Sequence, residues 1–336
     1  MKKQNIFLTG ASGFVGREIL KKLLAAGHAV KAVARNPRKW EQIYPQANWI
    51  GGDFNQNTDA EFWQPHLDGI AIVINAAGII RETKNSSFAN VHHQGPLALF
   101  TAARKSNIEH VLQVSALGAD AAVTRYQISK KAADDFLLQN FPQAVIIRPS
   151  IVTGEGGQSI QLFSLLSSLP LLPLVGDGSY PIQPVLMDDL TNAIAGIVAG
   201  WPGQGGIINA AGPQVFTLQS WLQGIRQTSG LRQVAVVAVP LILVEIAAKF
   251  GIGMLDQDTL TMLKNGSTAD VTDFTKLLNH PLRSPLSLWD KDAPNYSARL
   301  VSDFKKMANV WFALGVAVIL SVAAFAVFWA VRKIVW

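Results

Sequence analysis

A strand-length apolar run, Ile6 to Thr9, leads into Thr9-Gly10-Ala11-Ser12-Gly13-Phe14-Val15-Gly16, and an amphipathic helical pattern, Phe14 to Ala26, begins at once. Few loops tolerate that glycine spacing. Gly10 permits a tight turn, Gly13 lets the backbone approach a pyrophosphate, and Gly16 lets the helix pack close to the strand. The free N–H groups and partial positive charge of the helix N-terminus then favour phosphate oxygens. Glycines alone are a weak signal, but a strand before them and a helix after them are the context that confirms it. Gly10, Ser12, Gly13, Phe14, Val15 and Gly16 are therefore the first ligand-binding candidates.

The first ~150 residues continue the alternation. Strands are expected at Ile6–Thr9, Ala29–Ala34, Asn48–Gly51, Ile70–Asn75, His110–Ser115 and Ala144–Arg148. Helices are expected at Phe14–Ala26, Ala60–Leu67, Pro96–Ser106 and Tyr126–Gln139. Such alternation builds an α/β fold, a doubly wound parallel sheet with helices on both faces. After Ser150 the pattern loosens around Pro170, Pro173, Gly176, Gly178, Pro181 and Pro184. Short helices are expected at Ser159–Leu169, Asp188–Ala199 and Leu218–Ser229. The apolar stretch Val234–Met254 is broken by Pro240, Glu245 and Lys249 and reads as a packed or membrane-surface helix. The expected organisation is 1–150 a nucleotide-binding core, 151–283 a smaller C-terminal substrate region completing the same domain, 284–307 a polar linker, and 308–331 a membrane helix.

The end of the second strand speaks to which dinucleotide binds. An NAD site usually places Asp or Glu there for the ribose 2′-hydroxyl. Here no acidic residue lies between Glu18 and Glu41, and Arg35 follows Ala34, with Arg38 and Lys39 beyond. Arg35 is positioned for a 2′-phosphate, so NADP is favoured over NAD.

These residues resemble the short-chain dehydrogenase/reductase superfamily, in its extended and atypical branches. Thr9–Gly16 has the T-G-x-x-G-F-x-G form, Asn75-Ala76-Ala77-Gly78 looks like the N-A-A-G element, and Tyr126-Gln127-Ile128-Ser129-Lys130 looks like Y-x-x-x-K. Gly52-Asp53 is similar to the segment that meets the adenine, and Arg148-Pro149-Ser150 also fits. Gln183-Pro184-Val185 with Asp188-Asp189, then Gly212-Pro213, then Asn265–Asp270, look like the bacterial relatives of the nucleotide-binding accessory subunit of mitochondrial complex I. The resemblance implies a Rossmann fold and adds Asp53, Ala76, Ala77, Gly78 and Lys130 to the cofactor candidates. It also implies Tyr126 as general acid/base, Lys130 as the residue that lowers its pKa and holds the nicotinamide ribose, and a Ser or Thr ending the fifth strand. Tyr126 and Lys130, four apart on a helix, share a face, and an ammonium there favours the phenolate. Two registers are open for the third member. One uses Ser115; the other falls on Ala116, which has no hydroxyl. Only ten residues separate Ser115 from Tyr126, less than extended members usually have.

Ala308 to Val331 runs for 24 positions without a charge. A helix of that length reaches about 36 Å, against a hydrocarbon core of ~30 Å. Trp311 and Trp329 lie near its ends, flanked by Lys305 and Lys306 on one side and Arg332 and Lys333 on the other. The apolar stretch after Met1-Lys2-Lys3 is broken at once by Gly10, Ser12 and Gly13, unlike a secretory leader. The expected location is the membrane, by a single-pass C-terminal anchor, with the main domain cytoplasmic.

Composition closes other routes. Cysteine is absent, which excludes disulfides, thiolate metal sites and a thiol nucleophile. The net charge of 29 − 23 = +6 comes without a basic stripe, so nucleic acid is not an expected partner. The six histidines show no metal-ligand spacing, and no metal site is expected. The apolar run Leu162–Val175 on the substrate side suits core packing or a lipophilic substrate such as a quinone, sterol or lipid. The favoured reading is a membrane-anchored NADP(H)-dependent oxidoreductase acting on a carbonyl or alcohol. Its alternatives are a non-catalytic NADPH-binding protein of a membrane complex and, more weakly, a sugar-nucleotide epimerase or dehydratase.

Overall fold

The computed structural model describes residues 3–249 and 256–290. Its first half alternates β1 (Asn5–Thr9), α1 (Phe14–Ala25), β2 (Ala29–Ala34), α2 (Pro37–Ile43), β3 (Asn48–Gly51), α3 (Ala60–Trp63), β4 (Ile72–Asn75), α4 (Gly95–Lys105), β5 (His110–Val114), α5 (Arg125–Asn140) and β6 (Val145–Pro149). Then follow β7 (Val152–Thr153), α6 (Gln158–Ser168), β8 (Leu172–Val175), β9 (Pro181–Ile182), β10 (Val185–Leu186), α7 (Met187–Ala199) and β11 (Gly206–Ala210). The remainder is β12 (Phe216–Thr217), α8 (Leu218–Thr228), β13 (Val236–Val239), α9 (Leu241–Lys249), α10 (Gln257–Asn265) and α11 (Thr272–Lys276).

The main sheet has the order β11-β6-β5-β4-β1-β2-β3, with every pair parallel. This is the doubly wound α/β sheet expected from the alternation. Its central strands are near-continuous apolar runs because both faces are covered. Ile6 and Leu8 point into one buried cluster, Phe7 into the other. α1 buries Gly16, Ile19, Leu20 and Leu23, the i, i+3, i+4, i+7 stripe of a half-buried helix. The seventh strand, Gly206–Ala210, was not anticipated; its isoleucines are only partly buried, so its apolar signal is short. The short α2, begun by Asn36 accepting from Lys39 N at 3.3 Å, was also not anticipated.

Before α4, Ala89–Gln94 widens into a π-turn. Pro96 supplies a reason: it has no N–H for the His92 carbonyl and its ring crowds that carbonyl in an ordinary helix. A wide turn relieves both effects.

The second half forms its own cluster around Trp221, Trp289, Leu172 and Leu174. Val234–Met254 divides differently from the single helix expected: Val236–Val239 is a strand, and α9 starts after Pro240. Gln183 gathers three segments of this half. Its side chain donates to Gly212 O at 2.7 Å and accepts from Ala269 N at 2.9 Å, and its carbonyl accepts from Ser150 Oγ at 2.6 Å. Arg283 ties the C-terminal segment to α7, donating from its backbone N–H to Asp189 at 3.0 Å and from Nε at 2.8 Å. Pro285–Trp289, where a polar linker was expected to open, is a 3₁₀ turn whose Trp289 ring is fully buried edge-on to Trp221. Among the described residues no helix is long and apolar enough to cross a membrane. The expected membrane helix 308–331 lies outside the described residues.

Candidate functional site

The C-terminal ends of β1, β4 and β5 meet at one polar chain. Thr9 Oγ1 donates to Asn75 Oδ1 at 2.6 Å, and Asn75 Nδ2 donates to Gln113 Oε1 at 2.7 Å. Asn75 Oδ1 also accepts from Ala77 N at 3.1 Å, and Ala76 N donates to Thr9 O at 3.2 Å. The Ala76-Ala77-Gly78 turn is thereby held against the glycine loop. Gly10 is at φ +68°, and a Cβ there would collide with the Ala76–Ala77 peptide. Gly16 has no room for a Cβ against the Gly10 carbonyl.

Gly13 caps α1 without any side-chain bond, and there is no acidic residue in the first turn. The first bond at this end runs from Arg17 N to Gly13 O at 3.1 Å. The N–H groups of Phe14, Val15 and Gly16 are left without helical acceptors, the arrangement that binds a phosphate. Ser12 is half-buried beside the exposed Gly13. The side chains of the next two candidates point elsewhere: Phe14 packs on Gly157, and Val15 packs against the first buried cluster.

Arg35 lies exposed just past β2, with no hydrogen-bond or ionic partner among the described residues. Asp53 Oδ1 accepts from Asn55 N at 2.9 Å and Asn55 Nδ2 at 3.0 Å, and Asp53 N donates to Asn57 at 2.8 Å. This turn holds the carboxylate at the end of β3. A glycine cradle, an uncapped helix start and an unpaired arginine past β2 together fit a dinucleotide.

α5 begins with a capping box between Thr124 and Gln127 and carries Tyr126, Lys130 and Asp134 at i, i+4 and i+8. The Lys130 ammonium donates to Val114 O at 3.3 Å and lies where a Gly78 Cβ would come within 3.1 Å of it. Tyr126 and Lys130 are thus brought to the turn that borders the glycine loop. Burial lowers the Lys130 pKa to about 8, opposed by Asp134. Burial, then the Asp134 carboxylate, pushes Tyr126 up to about 12. The expectation that Lys130 lowers the tyrosine is therefore corrected for the protein alone: desolvation and a carboxylate on the same helix face outweigh it.

Ser115, next to the Val114 carbonyl that Lys130 bonds, meets the third residue of that helix face. Its hydroxyl donates to Asp134 Oδ2 at 2.8 Å, and Arg148 Nε donates to the same oxygen at 3.0 Å. The strand continues through it, Ser115 N donating to Ile147 O at 2.8 Å. This side chain is thus engaged in a buried ion pair, with Ala116 next to it. Burial outweighs Ser115, Arg148 and Lys130 and raises the Asp134 pKa. Its Oδ1 has no partner among the described residues.

His92, which shows no metal-ligand spacing in the sequence, is the residue that sequence reasoning missed. Its Nε2 accepts from Ile79 N at 3.0 Å, which places the proton on Nδ1, 2.9 Å from Ser129 Oγ. Ser129 in turn donates to Tyr126 O at 2.7 Å. The ring stacks on Phe88 and meets Tyr126 edge-on at 5.3 Å. Burial, then Lys130, lowers its pKa to about 2, so it is neutral. No spacing rule links His92 to Ile79; the π-turn alone brings the ring inward.

Residues 10–167 match the model of an NAD(P)H-binding family. The chain is 30% identical over 219 residues to subunit 9 of the mitochondrial NADH dehydrogenase (ubiquinone) 1 alpha subcomplex of Arabidopsis thaliana, covering 62% of this chain and 54% of that protein. It is 26% identical over 200 residues to a ceramide reductase of Caulobacter vibrioides, covering 58% and 60%. The chain thus spans a little over half the length of these relatives. In fold it is similar to an NADPH-dependent quinone oxidoreductase of Escherichia coli solved with NADPH, at TM-score 0.69 and 19% identity, covering 84% of this chain and 97% of that one.

Proposed function

We propose that this protein, which carries an NAD(P)-binding Rossmann-type domain and is homologous to oxidoreductases and epimerases of the short-chain dehydrogenase/reductase kind, is a membrane-anchored NADP(H)-dependent reductase of a lipophilic carbonyl compound. The observation that carries the reading is Tyr126 and Lys130 together on α5, with the ammonium against Gly78. A ceramide reductase among its relatives and a quinone reductase among its structural neighbours support a lipophilic substrate. The sequence of 308–331 supports the anchor.

The glycine loop and the N-terminus of α1 would take the pyrophosphate, Asp53 the adenine side and Lys130 the nicotinamide ribose. Arg35 would take a 2′-phosphate, which favours NADPH over NADH. The bound dinucleotide supplies a hydride donor there. A phenol pushed up to about 12 is protonated at neutral pH, so Tyr126 is a proton donor before it is a base. That favours reduction: with a dinucleotide bound to supply the hydride for a carbonyl carbon, Tyr126 Oη would give its proton to the carbonyl oxygen. Lys130 steadies the phenolate left behind.

A second reading is favoured by Ser115. With its hydroxyl engaged by Asp134 and Ala116 next to it, Ser115 suits an NADPH-binding subunit without turnover in a membrane complex. Full-length protein in detergent, given NADPH and quinone and lipid extract, decides between the two. Oxidation that disappears in Tyr126→Phe, with NADPH still bound, supports the reductase. NADPH binding without oxidation supports the second reading. A sugar-nucleotide epimerase finds no specific support in the short Ser115–Tyr126 connection.

A further inference from the structure

The second-half lobe has an apolar face that is only partly covered among the described residues. β8 and β13 form a two-stranded parallel sheet in register from Val236↔Leu172 to Val239↔Val175. Leu172 and Leu174 point inward and are fully buried. By alternation Pro173, Val175, Val237 and Val239 share the outer face, and Leu171 extends it. None of the five is buried or polar. Parallel pairs ordinarily have both faces covered. Here α9 and α10 cover one end, where Val175 and Val239 pack on Val244, Ala248 and Leu260. The other end is open: Leu171 is 43% exposed, Val237 44%, and Ile242, in the first turn of α9, 62%.

Where the chain leaves this lobe says what covers the face. Trp289 is buried in the same cluster as Leu172 and Leu174, on the inner side of the same small sheet. Asp290 therefore departs from the lobe that bears the open face. After seventeen intervening residues, at Ala308, the 24 uncharged positions begin. Even fully extended, a connection of that length reaches no more than roughly 55–60 Å. Tethering at such range makes even a weak surface contact effective. The residues of the face carry no charge themselves; of the charges that border it, Glu245 is paired with Lys264, Asp177 is exposed and the exposed Arg232 precedes β13.

We propose that the outer face of the β8–β13 sheet, with Ile242, rests on the lipid surface of the bilayer that takes up residues 308–331. This rests on the membrane reading of that segment and not on the redox chemistry. The contact also orients the candidate site. Arg81 pairs with Asp256 at 3.3 Å, and Asp256 caps α10, whose Leu260 packs under α9. The loop that follows Gly78 is thereby fastened to the lobe that bears this face.

The absence of cysteine makes the test clean. Leu171→Cys, Val237→Cys and, as a control, Ile43→Cys in α2 (51% exposed) are labelled singly with an environment-sensitive fluorophore. Only full-length variants with the parent's thermal unfolding are reconstituted into phosphatidylcholine–phosphatidylglycerol vesicles. Lipids bearing a doxyl quencher high on the acyl chain should quench labels at 171 and 237 several-fold more than at 43. Equal quenching at all three, with protein that floats with the vesicles, overturns the proposal while leaving the anchor intact. Labels at 171 and 237 shielded from aqueous iodide yet untouched by doxyl lipid mean a second copy or the chain's own tail covers the face, which also overturns it. Protein that fails to float removes the membrane reading and the proposal together, whatever the NADPH assay gives.

Discussion

Ser115 donates its hydroxyl to Asp134 at 2.8 Å, within a buried pair that Arg148 completes. The bond makes a residue expected in catalysis part of the scaffold. Ser115→Ala should therefore lower stability by about 1–3 kcal/mol, the cost of depriving a buried charged acceptor. NADPH binding should stay within a few-fold of the parent. Denaturant unfolding beside NADPH titration checks this. A variant of unchanged stability that loses turnover would restore the serine to the site.

Arg35 has no protein partner among the described residues and lies exposed just past β2, where the proposal puts a 2′-phosphate. Arg35→Ala should weaken NADPH binding by about 10- to 100-fold, as loss of a charge-assisted bond of ~1.5–3 kcal/mol implies, and leave NADH binding nearly unchanged. Competitive titration of both dinucleotides reads the ratio directly. Equal losses for both would assign Arg35 no part in discrimination.

His92 is held neutral, with a pKa lowered from 6.5 to about 2 by burial and by Lys130. The unfolded chain therefore binds a proton below pH 6.5 that the native state refuses. Stability should be fully present above about 6.5 and fall by up to about 1.4 kcal/mol per pH unit as the pH drops below it. His92→Gln keeps an acceptor for Ile79 N–H and does not titrate. Its stability between pH 7 and 5 should be flatter than the parent's in urea unfolding at each pH.

Arg283 is the ionic partner of the buried Asp189. Arg283→Ala leaves that carboxylate the Arg283 backbone N–H but no counter-charge. The expected loss is about 3 kcal/mol, the lower end for a broken buried pair because the arginine itself is half-exposed. Because Arg283 leads into Pro285–Trp289, proteolysis near residue 283 should also speed up. Unchanged stability and cleavage would show that Trp289 alone anchors the segment.

Much of the core fold was legible because its signals are local. Ala29–Ala34 was placed to the residue, since a largely buried strand is a short apolar run, and the edge strand Asn48–Gly51, with no buried residue, was placed by its spacing between the helices on either side. The glycine loop was legible for a related reason: two of its glycines are forced by backbone crowding that no other residue relieves. β11 was not, because an edge strand is only partly buried and its run is short. The Val234–Met254 division was not, because Pro240 can equally open a helix or end a strand.

What the sequence by itself determined is the parallel α/β sheet, the phosphate cradle, the basic end of β2 and the pairing of Tyr126 with Lys130. All of these depend on spacing within one or two neighbouring elements. Only the tertiary structure decided that Ser115 faces Asp134 and Arg148, and that Tyr126 is raised and not lowered. It alone brought His92 to Ile79 across a π-turn. The physical reason is the same each time: hydrogen-bond partners and desolvation are set by groups distant in the chain, and the low-dielectric interior makes those groups decide the chemistry.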